Sequence, residues 1–208
     1  MSLPNLQEVL NAAQVGESAD WEFKSAKGGL PRSLWETYSA MANTEGGVVV
    51  LGAVERDEKV RLDGLTAPEA AKVRKELWDN LNNRGKVSVN LLRNEDVGVI
   101  PLGEAQLIVL RIPRASRTQR PVYLGPTPLG NTYRRQHEGD YRCADDEVRR
   151  MLADADPLAP DHRVLEHFSL EDLDSASLTQ YRQRFRAAKG DHPWLALENR
   201  DLLEKLGA

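Results

Sequence analysis

The sequence predicts an α+β fold: a mixed β-sheet flanked by α-helices, with a small helical extension at the C-terminal end. Three observations lead there. Short runs with a period of two, such as Asp20–Lys24 and Val97–Ile112, read as strands. Apolar stripes at helical spacing lie between them, and Val48 to Val54 is so apolar that both faces of that strand must be covered. After the second long helix the strands follow one another in meander style.

Asn5 to Ala13 reads as an amphipathic helix with Leu6, Val9 and Leu10 on one stripe, ended by Gly16. In the strand that follows, Trp21 and Phe23 share one face and Asp20, Glu22 and Lys24 the other. Lys27 to Pro31 is a loop, and Ser33-Leu34-Trp35-Glu36 has the spacing of a capping box opening a second helix. Gly46 and Gly47 stop that helix. Thr66-Ala67-Pro68-Glu69 is a second capping box, and Ala70, Val73, Leu77, Trp78 and Leu81 form the buried stripe of its helix.

Val87, Val89 and Leu91 alternate as a strand would. Val97 to Leu102 and Leu107 to Ile112 read as a hairpin turning at Gly103-Glu104-Ala105. Val122–Leu124 and Thr132–Arg134 are expected as short strands around a Gly/Pro loop. A helix begins at Asp145 with acids in its first turn and Arg149-Arg150 further on, matching the dipole. Asp156 to Pro160 reads as a linker between a domain of residues 1–156 and a helical connector of residues 157–208. Within the connector, Asp174 caps one helix, Gly190 to Pro193 breaks it, and Asn199 to Leu206 forms another.

No apolar run approaches the roughly 20 residues of a membrane span. The N-terminus lacks the pattern of a secretory signal, and Cys143 as the only cysteine excludes an internal disulfide, so a cytoplasmic location is expected. Charge is unevenly spread. Arg111 to Arg142 holds seven arginines against Glu138 and Asp140, a local +5 in a chain of net −4. A basic strip on an acidic body can grip a polyanion, and Arg111, Arg114, Arg117, Arg120, Arg134, Arg135 and Arg142, with Lys24 and Lys27, are the candidate phosphate contacts. Interleaved Tyr123, Tyr133 and Tyr141 suit base stacking or sheet filling.

Glu17, Glu22 and Glu55 are the candidate metal-binding carboxylates, for Mg²⁺ or Mn²⁺, with Lys24 as an electrostatic helper. Glu17 lies five residues before Glu22, so the two converge only if the chain bends at Ser18–Asp20. The bland alternative is a solvated strand face. Gly46-Gly47 is not a phosphate loop, because it follows a helix and precedes a strand. The four histidines show no zinc spacing, and no serine shows a nucleophile elbow.

Gly16-Glu17-Ser18-x-x-x-Glu22-Phe23-Lys24, followed by Ala42-Asn43-Thr44-x-Gly46-Gly47 and an apolar strand ending at Gly52, resembles the Schlafen/Alba-type DNA-binding domain. That domain is found in bacterial transcriptional regulators and RecG-like, divergent AAA-type ATP-binding proteins. The resemblance covers roughly residues 5 to 155 and implies a nucleic-acid-binding module, DNA being favoured over RNA. It also implies that the chain is the N-terminal part of a longer protein, ATP entering only through a further C-terminal region.

Animal Schlafens cleave structured RNA with a metal-bound acidic triad. Its first two acids match Glu17 and Glu22, and its third falls at Glu55, where the family more often has aspartate. The resemblance thus implies a second reading, a Mg²⁺/Mn²⁺-dependent endoribonuclease using Glu17, Glu22, Glu55 and Lys24. Near the end the family's Arg-x-Gly-Ser is replaced by Arg135-Gln136-His137-Glu138. A third reading is a protein-interaction module whose arginines bind an acidic partner or a second copy in a homodimer.

Overall fold

Residues 3–56, 59–156 and 172–206 are described in the computed structural model of the chain. Two compact units divide it, Met1–Pro157 and Leu158–Ala208. The first runs α1 (Leu6–Val15), β1 (Trp21–Lys24), α2 (Leu34–Asn43), β2 (Gly47–Leu51), β3 (Ala53–Arg56), β4 (Lys59–Leu62) and α3 (Ala67–Leu81). It continues with β5 (Val97–Leu102), β6 (Ala105–Ile112), β7 (Tyr133–Gln136), β8 (Gly139–Arg142) and α4 (Asp145–Ala155). The fold is α+β, with a mixed four-stranded sheet as its centre.

Strand order in that sheet is β1-β2-β6-β5. β1 pairs parallel to β2, so α2 is the crossover a parallel pair requires. The other two pairings are antiparallel, with Val49 opposite Leu110 and Val97 opposite Leu110 on the next strand. Alternation along β2 then feeds two cores. Val49 and Leu51, with Ile108, Leu110 and Ile112, pack under α2 and α3; Val50, Phe23, Leu107 and Val109 pack under Val9 of α1. The apolar run at Val48 is central and covered on both faces, as its composition predicts.

Several expectations change in the folded chain. The run Val48–Val54 is not one strand: Gly52, at φ +100°, breaks it, and its carbonyl accepts the N–H groups of Asp63 and Gly64. The chain then turns back as the β3–β4 hairpin. Ser33 makes no capping bond, and Glu36 instead accepts the Tyr133 hydroxyl at 3.0 Å. At α3 the box does form, with Glu69 accepting the Thr66 N–H and hydroxyl, both at 2.8 Å. Residues 87–91 do not form a strand. Their backbone is served by the Tyr38 hydroxyl, which donates to Val89 O and accepts from Leu91 N, and by Tyr123 O, which accepts from Ser88 N. Residues 122–124 contribute only isolated bridges, while β8 was not foreseen.

The β7–β8 hairpin sits on α2, and polar side chains of that helix hold it. Asn43 donates to the carbonyls of Val122 and Tyr133, and its own carbonyl accepts the Val122 N–H at 2.8 Å. Ser39 donates to Val122 O and accepts from Tyr133 N; the Thr44 hydroxyl accepts the Arg135 N–H. Except at Thr44, these bonds lie in a buried seam, where a lost partner costs the whole desolvation penalty.

In the second unit, α5 (Ser175–Lys189) begins at Asp174, whose carboxylate accepts the Ser177 N–H, and ends at Gly190. Arg182 donates to the carbonyls of Leu195 and Leu197, fastening the short turn Pro193–Ala196 and the start of α6 (Asn199–Leu206) to α5. Of the linker predicted at Asp156 to Pro160, residues 157–160 lie outside the described residues.

Gly46 shows how closely the α2–β2 junction fits. Its φ is +84°, and a Cβ there would come within 2.6 Å of Ile112 O and 3.0 Å of Arg114 N. Gly46→Ala combines left-handed strain with a backbone clash, so it should lower the unfolding free energy by about 2–4 kcal/mol, read from the urea midpoint. A midpoint unchanged from the native chain would contradict this packing.

Candidate nucleic-acid interface

The bend needed to bring Glu17 back to Glu22 is present. Ser18 Oγ accepts the N–H groups of Asp20 and Trp21, and Ser18 N donates to Trp21 O at 3.0 Å. Glu17 folds alongside β1 so that its Oε1 accepts the Phe23 N–H at 3.1 Å. Burial pushes the Glu17 carboxyl above its ordinary value, helped by the charges of Glu22 and Glu55. The Phe23 N–H and Lys24 oppose that rise.

Glu22 is not on a solvated face. It is 6% exposed. Its Oε1 meets Lys24 Nζ at 2.5 Å, and its Oε2 lies 2.7 Å from the Arg135 guanidinium. That second approach lacks hydrogen-bond alignment, because the same nitrogen donates to the carbonyls of Ser18 at 2.7 Å and Trp21 at 3.3 Å. The other guanidinium arm donates to Asp140 at 2.9 Å, and Asp140 accepts the Thr37 hydroxyl at 2.6 Å. Burial works against the Arg135 charge, but the Asp140 bond and the two carboxylates hold its pKa above the usual arginine value.

An acid triad for Mg²⁺ or Mn²⁺ does not fit this arrangement. Both Glu22 oxygens face cations, one Glu17 oxygen is engaged by Phe23, and Glu55 is exposed on β3. Among the described residues no group of three or more His, Cys, Asp or Glu is placed to hold a metal ion. The corner instead contains its own counter-cations.

The predicted phosphate contacts separate into classes. Arg135 is buried and faces inward. Arg111 pairs with Asp96, whose carboxyl burial pushes up but Arg111 and the Arg93 N–H bring below its ordinary range. Lys24 is committed to Glu22, and Lys27 lies 3.5 Å from Asp63. On the surface, Arg114 meets Glu45 at 3.0 Å and Arg134 meets Glu147 at 3.5 Å. Arg142 donates to the Tyr133 hydroxyl and lies over its ring. Arg117 and Arg120 carry no side-chain partner among the described residues.

Two segments of the strip meet α4. The turn Arg117–Gln119 packs against that helix, and Glu147 within it holds Arg134 of β7. Sequence reasoning missed the parts played by Asp140, Ser39 and Asn43. The alternation of buried Tyr133 and Arg135 with exposed Arg134 and Gln136 is the signal that could have separated the inward arginine from the outward one.

The family described as Schlafen, AlbA_2 matches residues 17–144, and a domain of unknown function, DUF8451, matches residues 149–208. No curated protein matches the chain. Among solved structures, the N-terminal domain of an ATP-dependent DNA helicase RecG-related protein from Nitrosomonas europaea is 30% identical. The match covers 67% of this chain and 90% of that one, with a TM-score of 0.47. The DIP2311 protein from Corynebacterium diphtheriae is 15% identical over 98% of this chain and 36% of that one, with a TM-score of 0.46. The chain belongs to the Schlafen, AlbA_2 family.

Two outcomes follow from the charge arrangement. Arg135→Met strands Glu22 and Asp140 in a buried site and should cost about 3–5 kcal/mol of unfolding free energy in urea denaturation; a loss below 1 kcal/mol, on the order of a surface pair, would contradict the assigned role. Glu17 gives a pH test. Its folded pKa is raised, so the folded state holds the proton more tightly, and stability falls as pH rises from 4.5 through that pKa. Glu17→Gln keeps the acceptor and removes this loss. The variant should gain stability over the native chain at pH 7 and lose that advantage at pH 4; an equal difference at both would refute the linkage.

Proposed function

We propose, from its place in the Schlafen, AlbA_2 family, that the chain is a nucleic-acid-binding domain, with DNA favoured, serving as the recognition module of a bacterial transcriptional regulator. Family membership fits such a domain. The observations that carry the reading are that the Arg117–Gln119 turn packs against α4, that Arg134 pairs with Glu147 of the same helix, and that Arg117 and Arg120 are without side-chain partners among the described residues. An arginine without a carboxylate partner gains the full benefit of meeting a phosphate, whereas one already paired exchanges one anion for another. Arg114, paired with Glu45, and Arg142, on the Tyr133 ring, are secondary contacts in this reading. Arg111, Arg135 and Lys24 act inside the domain, and Lys27 leans toward Asp63.

The endoribonuclease reading rests on the electrostatic closeness of Glu17, Glu22 and Glu55 and is opposed by the cations that occupy Glu22. Self-association through the arginines is the third reading.

Anisotropy titration of a labelled 20-base-pair duplex between 50 and 200 mM salt tests the reading. Binding should weaken steeply with salt, and Arg117→Ala with Arg120→Ala should flatten the log–log slope by about 1.8, or 0.9 for each lost phosphate contact. No binding of DNA or RNA at 50 mM salt would overturn the proposal. Structured RNA incubated with Mn²⁺ in the same series should stay intact; cleavage abolished by Glu22→Ala would establish the nuclease instead. Salt-dependent light scattering without oligonucleotide binding would favour the homodimer.

A further inference from the structure

The β7–β8 hairpin has two faces of different character. Tyr133, Arg135, Asp140 and Arg142 lie on one, toward α2. Arg134, Gln136, Gly139 and Tyr141 lie on the other. Tyr141 is 55% exposed and makes no hydrogen bond or ring contact among the described residues. In exposure it differs from the other tyrosines of its unit. Tyr38 and Tyr133 are buried with bonded hydroxyls, and Tyr123 is half-buried.

A single exposed tyrosine is ordinary. What sets this one apart is its support. The ring lies across Gly139, two residues back on the same face. A Cβ at that position would come within 2.5 Å of Cε2 and 2.8 Å of Cζ. Gly139 has no left-handed backbone that would demand glycine, so its lack of a side chain serves to seat the ring. The strand beneath is held by Asp140 and Arg135 in the buried ion pairs and by Tyr133 on α2. Directly across the ladder from Tyr141 stands Arg134, half-exposed and paired with Glu147 of α4.

We infer that the outward face of this hairpin is a stacking platform for an unpaired base, so that the polymer bound is single-stranded in at least one segment. This deepens the nucleic-acid reading and rests on it. An aromatic ring that lies over a glycine and is half open to solvent can stack on any base, while the guanidinium across the ladder meets the adjoining phosphate. A paired base inside a duplex cannot present its face to such a ring without being unstacked.

The test compares a labelled 20-residue oligothymidylate with a 20-base-pair blunt duplex at fixed low salt, using the full chain. Tyr141→Leu should weaken single-strand binding by about 5- to 100-fold and leave duplex binding within about 2-fold. Tyr141→Phe keeps the ring and should match the native chain. Gly139→Ala displaces the ring and should produce an intermediate loss on the single strand alone. Circular dichroism confirms that each variant is folded. If the native chain binds the single strand and Tyr141→Leu binds it equally well, the platform is refuted while the nucleic-acid reading stands. Equal losses on both polymers also refute it, as does a change in oligomeric state in place of affinity. If the native chain binds neither polymer, both readings fall.

Discussion

A guanidinium with almost no access to water must be neutralised where it lies, and Arg135 determines much of this structure by that requirement. Its two arms draw Asp140 from the same hairpin, Glu22 from β1, and the carbonyls of Ser18 and Trp21 from the bend before that strand. Two segments more than a hundred residues apart in sequence are thereby fixed to one another. A two-stranded hairpin is marginal alone in water, so β7–β8 owes its definition to this charge cluster and to the seam on α2. The same cluster decides the chemistry of the acidic corner, since a carboxylate facing Lys24 and Arg135 has little left to offer a metal ion.

The recognisable motif Ala42–Gly47 is explained by packing. Asn43 satisfies three backbone groups of the returning chain, Thr44 takes the Arg135 N–H, and Gly46 and Gly47 permit an approach that a Cβ would block. At Gly47 that Cβ would lie 2.6 Å from the Met41 sulfur. A motif of this kind identifies a fold more surely than an activity. It holds the hairpin at a set place over the crossover helix, which is the condition for any surface of that hairpin to act as a site.

Elements whose signal is local were legible in the sequence. The helical stripes of α1, α2 and α3, the β5–β6 hairpin with its Gly103 turn, and the cap at Asp174 all depend on neighbours a few residues away. Features decided by distant partners were not. Ser33-x-x-Glu36 has the form of a capping box, yet Glu36 is claimed by a tyrosine 97 residues later. Residues 87–91 alternate like a strand, but the Tyr38 hydroxyl takes the backbone groups a ladder would use. The bend that returns Glu17 to β1 could be stated as a condition from parity alone. Its outcome depended on Ser18.

The arginine strip shows the limit of counting charge along a chain. A window from Arg111 to Arg142 sums to +5, but Asp96, Glu45 and Glu147 lie outside it and approach three of its arginines, while Asp140 inside it is spent on a fourth. Folding therefore leaves far less free positive charge than the count suggests. An interface built on a few unpartnered cations gains only a modest salt-dependent affinity, because each paired arginine must give up one anion to meet another. Contacts of a different physical origin then matter more. An aromatic contact such as the one proposed for Tyr141 depends little on ionic strength, so it would complement the few unpaired arginines rather than compete with them.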